Sequence, residues 1–290
     1  DSGVSLVTSG ILVLTSDGAI GALGGGAGLN LDVGTLTVTA TDGENVTVTD
    51  SGTGGDTTYS IVTGAGGAVA VTQLTNDILL TTITTTGTVA LGATAAAIED
   101  ATADDATADI TTTGAVSLTA ATGIGIASNG SVDLDVATVT IATSPVGGVV
   151  LNLLDANNGG VTITDVDASA SGNVVITTTA GTGTFAIVDL DANAGSVSFI
   201  ATQGDITVAT TGVVADASGG TGGTNTVTLT ATAGTLTIGA PVTSDQGSIT
   251  LTGANGITLN NNDSDILVQA GSGAIVVDAD SNNSATGTFT

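Results

Sequence analysis

One short phrase constrains this chain more than anything else in it. It is a glycine, a small residue, then an apolar-polar-apolar triplet. It reads GTLTV at 34–38, GTVAL at 87–91, GAVSL at 114–118, GSVDL at 130–134 and GNVVI at 172–176. It returns as GSVSF at 195–199, GDITV at 204–208, GTLTI at 234–238, GSITL at 247–251 and GAIVV at 273–277. Alternation with a period of two marks a strand with one face buried and one face wet. A glycine before each strand predicts a corner that other residues would strain.

A second phrase follows some of these strands. It is an apolar run ending in Asp and small residues, as in ITDVDASASG (163–172), IVDLDANAG (187–195) and IVVDADSNN (275–283). Asp167, Asp191 and Asp216 stand about 24 residues apart. That spacing predicts a coil of about 20–30 residues holding two or three strands. Short, similar repeats are what stacked equivalent coils require. Asn-Gly and Asp-Gly hairpin links are few and mostly misplaced for two-residue turns. The expected fold is therefore all-β, a right-handed parallel β-helix of about twelve coils at about 4.8 Å each. Tandem immunoglobulin-like β-sandwiches are the alternative. The whole chain, 1–290, reads as one solenoid domain, a segment of a longer or polymerising chain. Residues 93–109, ATAAAIEDATADDATAD, lack period two and read as an irregular excursion.

The interior of such a coil must be aliphatic, because the chain has one Tyr, three Phe and no Trp or Met. Thr, about a fifth of the residues, joins Val and Ile as β-branched strand filler. Charged residues are 9% of the chain and all are acidic, giving a net charge of −27. No salt bridge between side chains can form. Nucleic acid is excluded as a partner, since phosphates need Lys or Arg. The longest aliphatic runs are too short to insert in a membrane.

The phrases at 204–208, 234–238 and 247–259 (GSITLTGANGITL) resemble the repeats of filamentous-haemagglutinin-type exoproteins and autotransporter passenger domains. The similarity is best from Gly172 to Asp280. It implies an extracellular β-solenoid of adhesin or surface-fibre type. The secretion-domain Asn-Pro-Asn-Gly motif of that group is missing, and so are its usual basic residues.

With no His, Cys or Lys, the chain has no catalytic triad, no thiolate nucleophile and no Schiff base. Paired carboxylates remain, and two carboxylates can hydrolyse glycosides. Sugar-stacking aromatics and basic residues are almost or wholly absent, so no enzyme is expected. The D-x-D pairs Asp165/Asp167, Asp189/Asp191 and Asp278/Asp280 suit calcium better, as hard oxygen donors on one strand face. The competing reading is that each Asp ends a strand in an Asx turn. Asp104-Asp105, Asp133/Asp135 and Asp263/Asp265 are further pairs. The glycine-rich GALGGGAG (21–28) lacks a phosphate-cradling lysine and reads as a loop. Sequons start at Asn45, Asn129, Asn262 and Asn282.

The expected function is an extracellular or cell-surface structural or adhesive β-solenoid, a stiff non-catalytic block of a fibre, sheath or matrix. Its expected partners are copies of itself or neighbouring domains, with a glycan or host surface as a further candidate. The alternative is a loop-mediated glycan- or protein-binding adhesin module built of sandwiches and stabilised by calcium.

Overall fold

A computed structural model describes residues 6–21, 28–102, 107–126, 130–143, 147–156, 159–168, 172–215, 225–260, 268–284 and 287–290. The described residues contain strands and turns but no helix. Residues 22–27 of the GALGGGAG stretch, and Asp104, Asp105, Asn129, Asp216, Asn262, Asp263 and Asp265, lie outside them. Two compact units divide the chain, Asp1–Val136 and Ala137–Thr290, and each is described in turn.

The first unit opens with β1 (Leu6–Ser16), β2 (Leu29–Ala40), β3 (Val46–Asp50), β4 (Thr57–Thr63), β5 (Val69–Gln73) and β6 (Ile78–Thr84). It continues through β7 (Val89–Ala93), β8 (Ala97–Asp100), β9 (Ile110–Ala120) and β10 (Gly123–Ile124), and β11 spans Val132–Thr143. Successive coils pair parallel, so equivalent residues stack. Val46, Val69, Val89 and Val116 form one ladder, with steps of 23, 20 and 27 residues. Val48, Val71, Leu91 and Leu118 form the next inward rung. On another face Val38, Ile61, Ile83 and Ile110 are stacked in the same way. All these residues are buried, while Thr47, Ala70, Ala90 and Ser117, between the first two rungs, face outward.

Residues 93–109 are not wholly irregular. Four of them form β8, which pairs parallel with β6 and with β10. Ile98 sits between Ile78 and Ile124 in an isoleucine ladder, which anchors β8 in the stack.

The second unit contains β12 (Val149–Leu153), β13 (Val161–Ala168), β14 (Val174–Thr178), β15 (Thr184–Ala192), β16 (Val197–Ala201) and β17 (Asp205–Ala215). It ends with β18 (Val227–Ala231), β19 (Leu236–Ile238), β20 (Val242–Ser244), β21 (Ile249–Gly253), β22 (Ile257–Leu259), β23 (Val268–Ala270) and β24 (Ile275–Asp278). Three ladders run through it. The first is Val149, Val174, Val197, Val227, Ile249 and Ile275. The second is Val161, Phe185, Ile206, Leu236 and Ile257. The third is Val166, Leu190, Val213, Val242 and Val268. Successive coils thus add rungs to three parallel ladders, with β13, β15 and β17 each supplying rungs to two of them.

Every pairing whose register is described is parallel, which rules out the antiparallel sandwich alternative. The fold is an all-β parallel β-solenoid of about 10 turns, consistent with right-handed winding. The expected count of twelve is too high because some coils are long, such as the 30 residues from Val197 to Val227.

The glycines work chiefly through close approach between coils. A Cβ on Gly195 would lie 2.1 Å from the Gly172 carbonyl oxygen, one coil away. Gly204 also needs its φ of +82°, a conformation that side chains disfavour.

Candidate functional site

The sheet pleat places the expected calcium residues. In β13 and β15, Val166 and Leu190 point inward, so Asp165, Asp167, Asp189 and Asp191 fall on the outer side. Asp167 and Asp191 are register partners on neighbouring coils, so their backbones stand about 4.8 Å apart. Asp165 is exposed and the other three are half-buried. Asp189 Oδ1 is screened from solvent.

This stacking of like charges has an electrostatic cost. Partial burial, and then the Asp165 carboxylate, raise the Asp167 carboxyl above its ordinary value. Partial burial, then Asp165 and Asp167, raise Asp189, while the Leu190 backbone N–H acts in the opposite direction. No Lys, Arg or His exists to offset this repulsion.

The third pair behaves differently. Asp278 Oδ1 accepts from the Asp280 N–H at 3.3 Å, and Asp280 Oδ1 accepts from the Ser284 N–H and hydroxyl at 3.0 and 3.1 Å. These two carboxylates shape the turn after β24, as an Asx turn would. Among the described residues, no group of three or more acidic side chains is arranged to hold a metal ion.

Other polar residues tie coil to coil at the corners. Asn45 Oδ1 accepts from the Ala68 N–H at 2.8 Å, and Asn173 Oδ1 accepts from the Ser196 N–H at 2.8 Å. Asp205 Oδ1 accepts from both the N–H and the hydroxyl of Thr235, at 2.7 and 2.8 Å. Asn45 and Asn282 are exposed, as a sequon must be to be modified. Outward threonines stack as well, with Thr207, Thr237 and Thr258 in one column.

The largest apolar exposure lies on the strands at the two extremes of the sequence. In β1, Val7, Ile11 and Val13 are 71%, 70% and 64% exposed, and the one described register of β1 is with β2. In β24, Ile275, Val276 and Val277 are 48%, 49% and 41% exposed, and its described register is with β21. Phe289, bridged to Ile257, is 55% exposed.

Sequence reasoning missed a set of buried polar residues. Asp50, Thr57, Tyr59 and Gln73 meet inside the first unit, each 0% exposed. Glu99, Asp100, Asp109 and Asp133 are also buried there. A signal was present: Asp50 and Gln73 continue the inward phase of Val46-Val48 and Val69-Val71.

A cleft of about 280 Å³ in the second unit is lined by Ala215, Thr243, Ser244, Asp245 and Gln269 among others. Among the described residues that line it, Asp245 is the one carboxylate. No protein-family model, no curated protein and no solved structure matches this chain.

Proposed function

We propose that this chain is an extracellular or cell-surface structural or adhesive β-solenoid, a stiff and non-catalytic block of a fibre, sheath or matrix. One observation carries the reading: coil after coil pairs in parallel register over buried aliphatic ladders. The backbone hydrogen bonds of such a stack run from coil to coil, so the repeat itself bears load. The resemblance to filamentous-haemagglutinin-type and autotransporter-passenger repeats agrees with this role.

The partner proposed for β1 and β24 is another solenoid coil, from a further copy or from a neighbouring domain. Strands with exposed apolar residues, as β1 and β24 have, are templates for strand addition where an edge is free. A glycan or host surface is a second proposed partner for the outer faces. Calcium is proposed as a weak, millimolar-class counter-ion of the Asp165–Asp191 ladder, because the chain has no Lys, Arg or His to offset those stacked carboxylates. Negative-stain microscopy of the purified chain over a concentration series tests the assembly. Linear polymers that lengthen with concentration are expected. Discrete particles at every concentration, together with turnover of a polysaccharide, would overturn the reading.

A further inference from the structure

At one interior corner of the first unit the core is polar rather than aliphatic. Asp50 ends β3, Gln73 ends β5, and the two are register partners on adjacent coils. Thr57 and Tyr59, at the start of β4, reach into the same corner. The Thr57 hydroxyl lies 3.1 Å from Asp50 Oδ2 and 2.7 Å from the Val33 carbonyl oxygen, so its proton has two acceptors. The Gln73 amide nitrogen is 3.4 Å from Thr57 Oγ1. The Tyr59 hydroxyl donates to Gln73 Oε1 at 2.5 Å and stands 3.3 Å from Asp50 Oδ2. Asp50 Oδ1 accepts from the Gly52 N–H at 2.9 Å, which fixes the carboxyl orientation.

These four side chains hold four chemical roles. A Thr hydroxyl becomes a nucleophile when an adjacent base takes its proton, and the Asp50 carboxylate is placed to do so. A carboxamide becomes an electrophile when a donor polarises its carbonyl oxygen, and the Tyr59 hydroxyl is placed on that atom. The carbon to be attacked is one C–N bond, about 1.33 Å, from the nitrogen already in contact with Thr57. Water, the competing nucleophile, is excluded, since all four side chains are 0% exposed. Burial, and then the neighbouring Asp50 carboxylate, push the Tyr59 phenol far up, so it keeps the proton it must donate.

We propose that Thr57 and Gln73 join in a self-catalysed intrachain ester that ties the start of β4 to the end of β5. Asp50 Oδ2 accepts the hydroxyl proton as Thr57 Oγ1 bonds to Gln73 Cδ. The negative charge that develops on Oε1 is held by the Tyr59 hydroxyl. The Cδ–Nε2 bond then breaks, the proton on Asp50 passes to the departing nitrogen, and ammonia leaves. One alcohol and one carboxamide become one ester and one ammonia, with no oxidant, reductant or cofactor. Asp50 and Tyr59 finish as they began. Gly52 borders the departing nitrogen; a Cβ there would lie 2.6 Å from it. The reaction is a single self-modification and does not rest on the structural role proposed above.

Intact mass spectrometry of the purified, folded full chain tests it. The expected mass is about 17 Da below that of the sequence, the mass of one ammonia. Cleavage before aspartates places Thr57 and Gln73 in one peptide, 56–76. That peptide should carry the deficit and give no fragment ions between the two residues. Hydroxylamine should open it, leaving a hydroxamate at Gln73. Thr57→Val should restore the full mass. Asp50→Asn and Tyr59→Phe should each slow formation by about 100-fold or more. Full sequence mass in natively folded protein after prolonged incubation would overturn the proposal. So would a deficit that maps to other residues or persists in Thr57→Val.

Discussion

Phe199→Ala probes the stacked core where its packing is most completely defined. Phe199 is 0% exposed and stands between Ile176 and Leu229 in its ladder. Its ring centroid lies 6.0 Å from that of Phe185, at an interplanar angle of 53°. Removing a buried Phe side chain costs about 3–5 kcal/mol in transfer and cavity terms. The lost ring-ring contact adds about 0.5–1.5 kcal/mol. The backbones on either side are hydrogen-bonded in register and cannot close over the cavity, so the upper part of the range, about 4–5 kcal/mol, is expected. Guanidinium unfolding followed by far-ultraviolet circular dichroism measures it, since the chain has no Trp. Ser198→Ala, on the outer face of the same strand, should stay within about 0.5 kcal/mol. A double-mutant cycle with Phe185→Ala should return a coupling of about 1 kcal/mol. If Phe199→Ala costs less than about 1 kcal/mol, or no more than Ser198→Ala, the inward ladder is wrong.

Three further outcomes follow from the same geometry. Gly195→Ala should destabilise by about 1–3 kcal/mol in the same unfolding assay, because its Cβ would collide with the Gly172 carbonyl oxygen. The Asp167 and Asp189 carboxyls are raised in the folded state, so folding takes up protons. Their contribution to stability is fully present below the ordinary carboxylate value and is lost as pH rises through the raised one. Thermal melts should therefore show higher stability near pH 4 than at pH 7, and Asp189→Asn should raise the neutral-pH melting temperature and flatten the slope. Millimolar calcium should raise the melting temperature at neutral pH, and Asp167→Asn with Asp191→Asn should remove that response.

The glycine-led phrases were legible because period two and corner glycines leave few other solutions. Val197, Phe199, Ile206, Val208, Leu236, Ile238, Ile249 and Leu251 are the expected inward residues, and each is 0% exposed. The glycine corners were legible too, although the reason is mostly coil-to-coil contact rather than backbone angle. β8 was hidden because Ala and Asp masked Ile98, whose role depends on partners 20 and 26 residues away. The polar corner was hidden for a related reason. A polar residue at an inward position reads as a strand end until its partners are known, and those of Asp50 and Gln73 lie on other strands. The D-x-D pairs look alike in sequence, yet one shapes a turn and two form a ladder. Sequence spacing alone does not distinguish the two, because the difference lies in what the neighbouring coil holds in register: Asp191 faces Asp167, whereas Thr252 faces Asp278.

The proposed role makes the stacking of parallel coils the working part of this protein. X-ray diffraction from oriented native material tests it most directly. A continuous fibre with a strand repeat of about 4.8 Å along its axis is expected. Discrete particles with no axial strand repeat would contradict it.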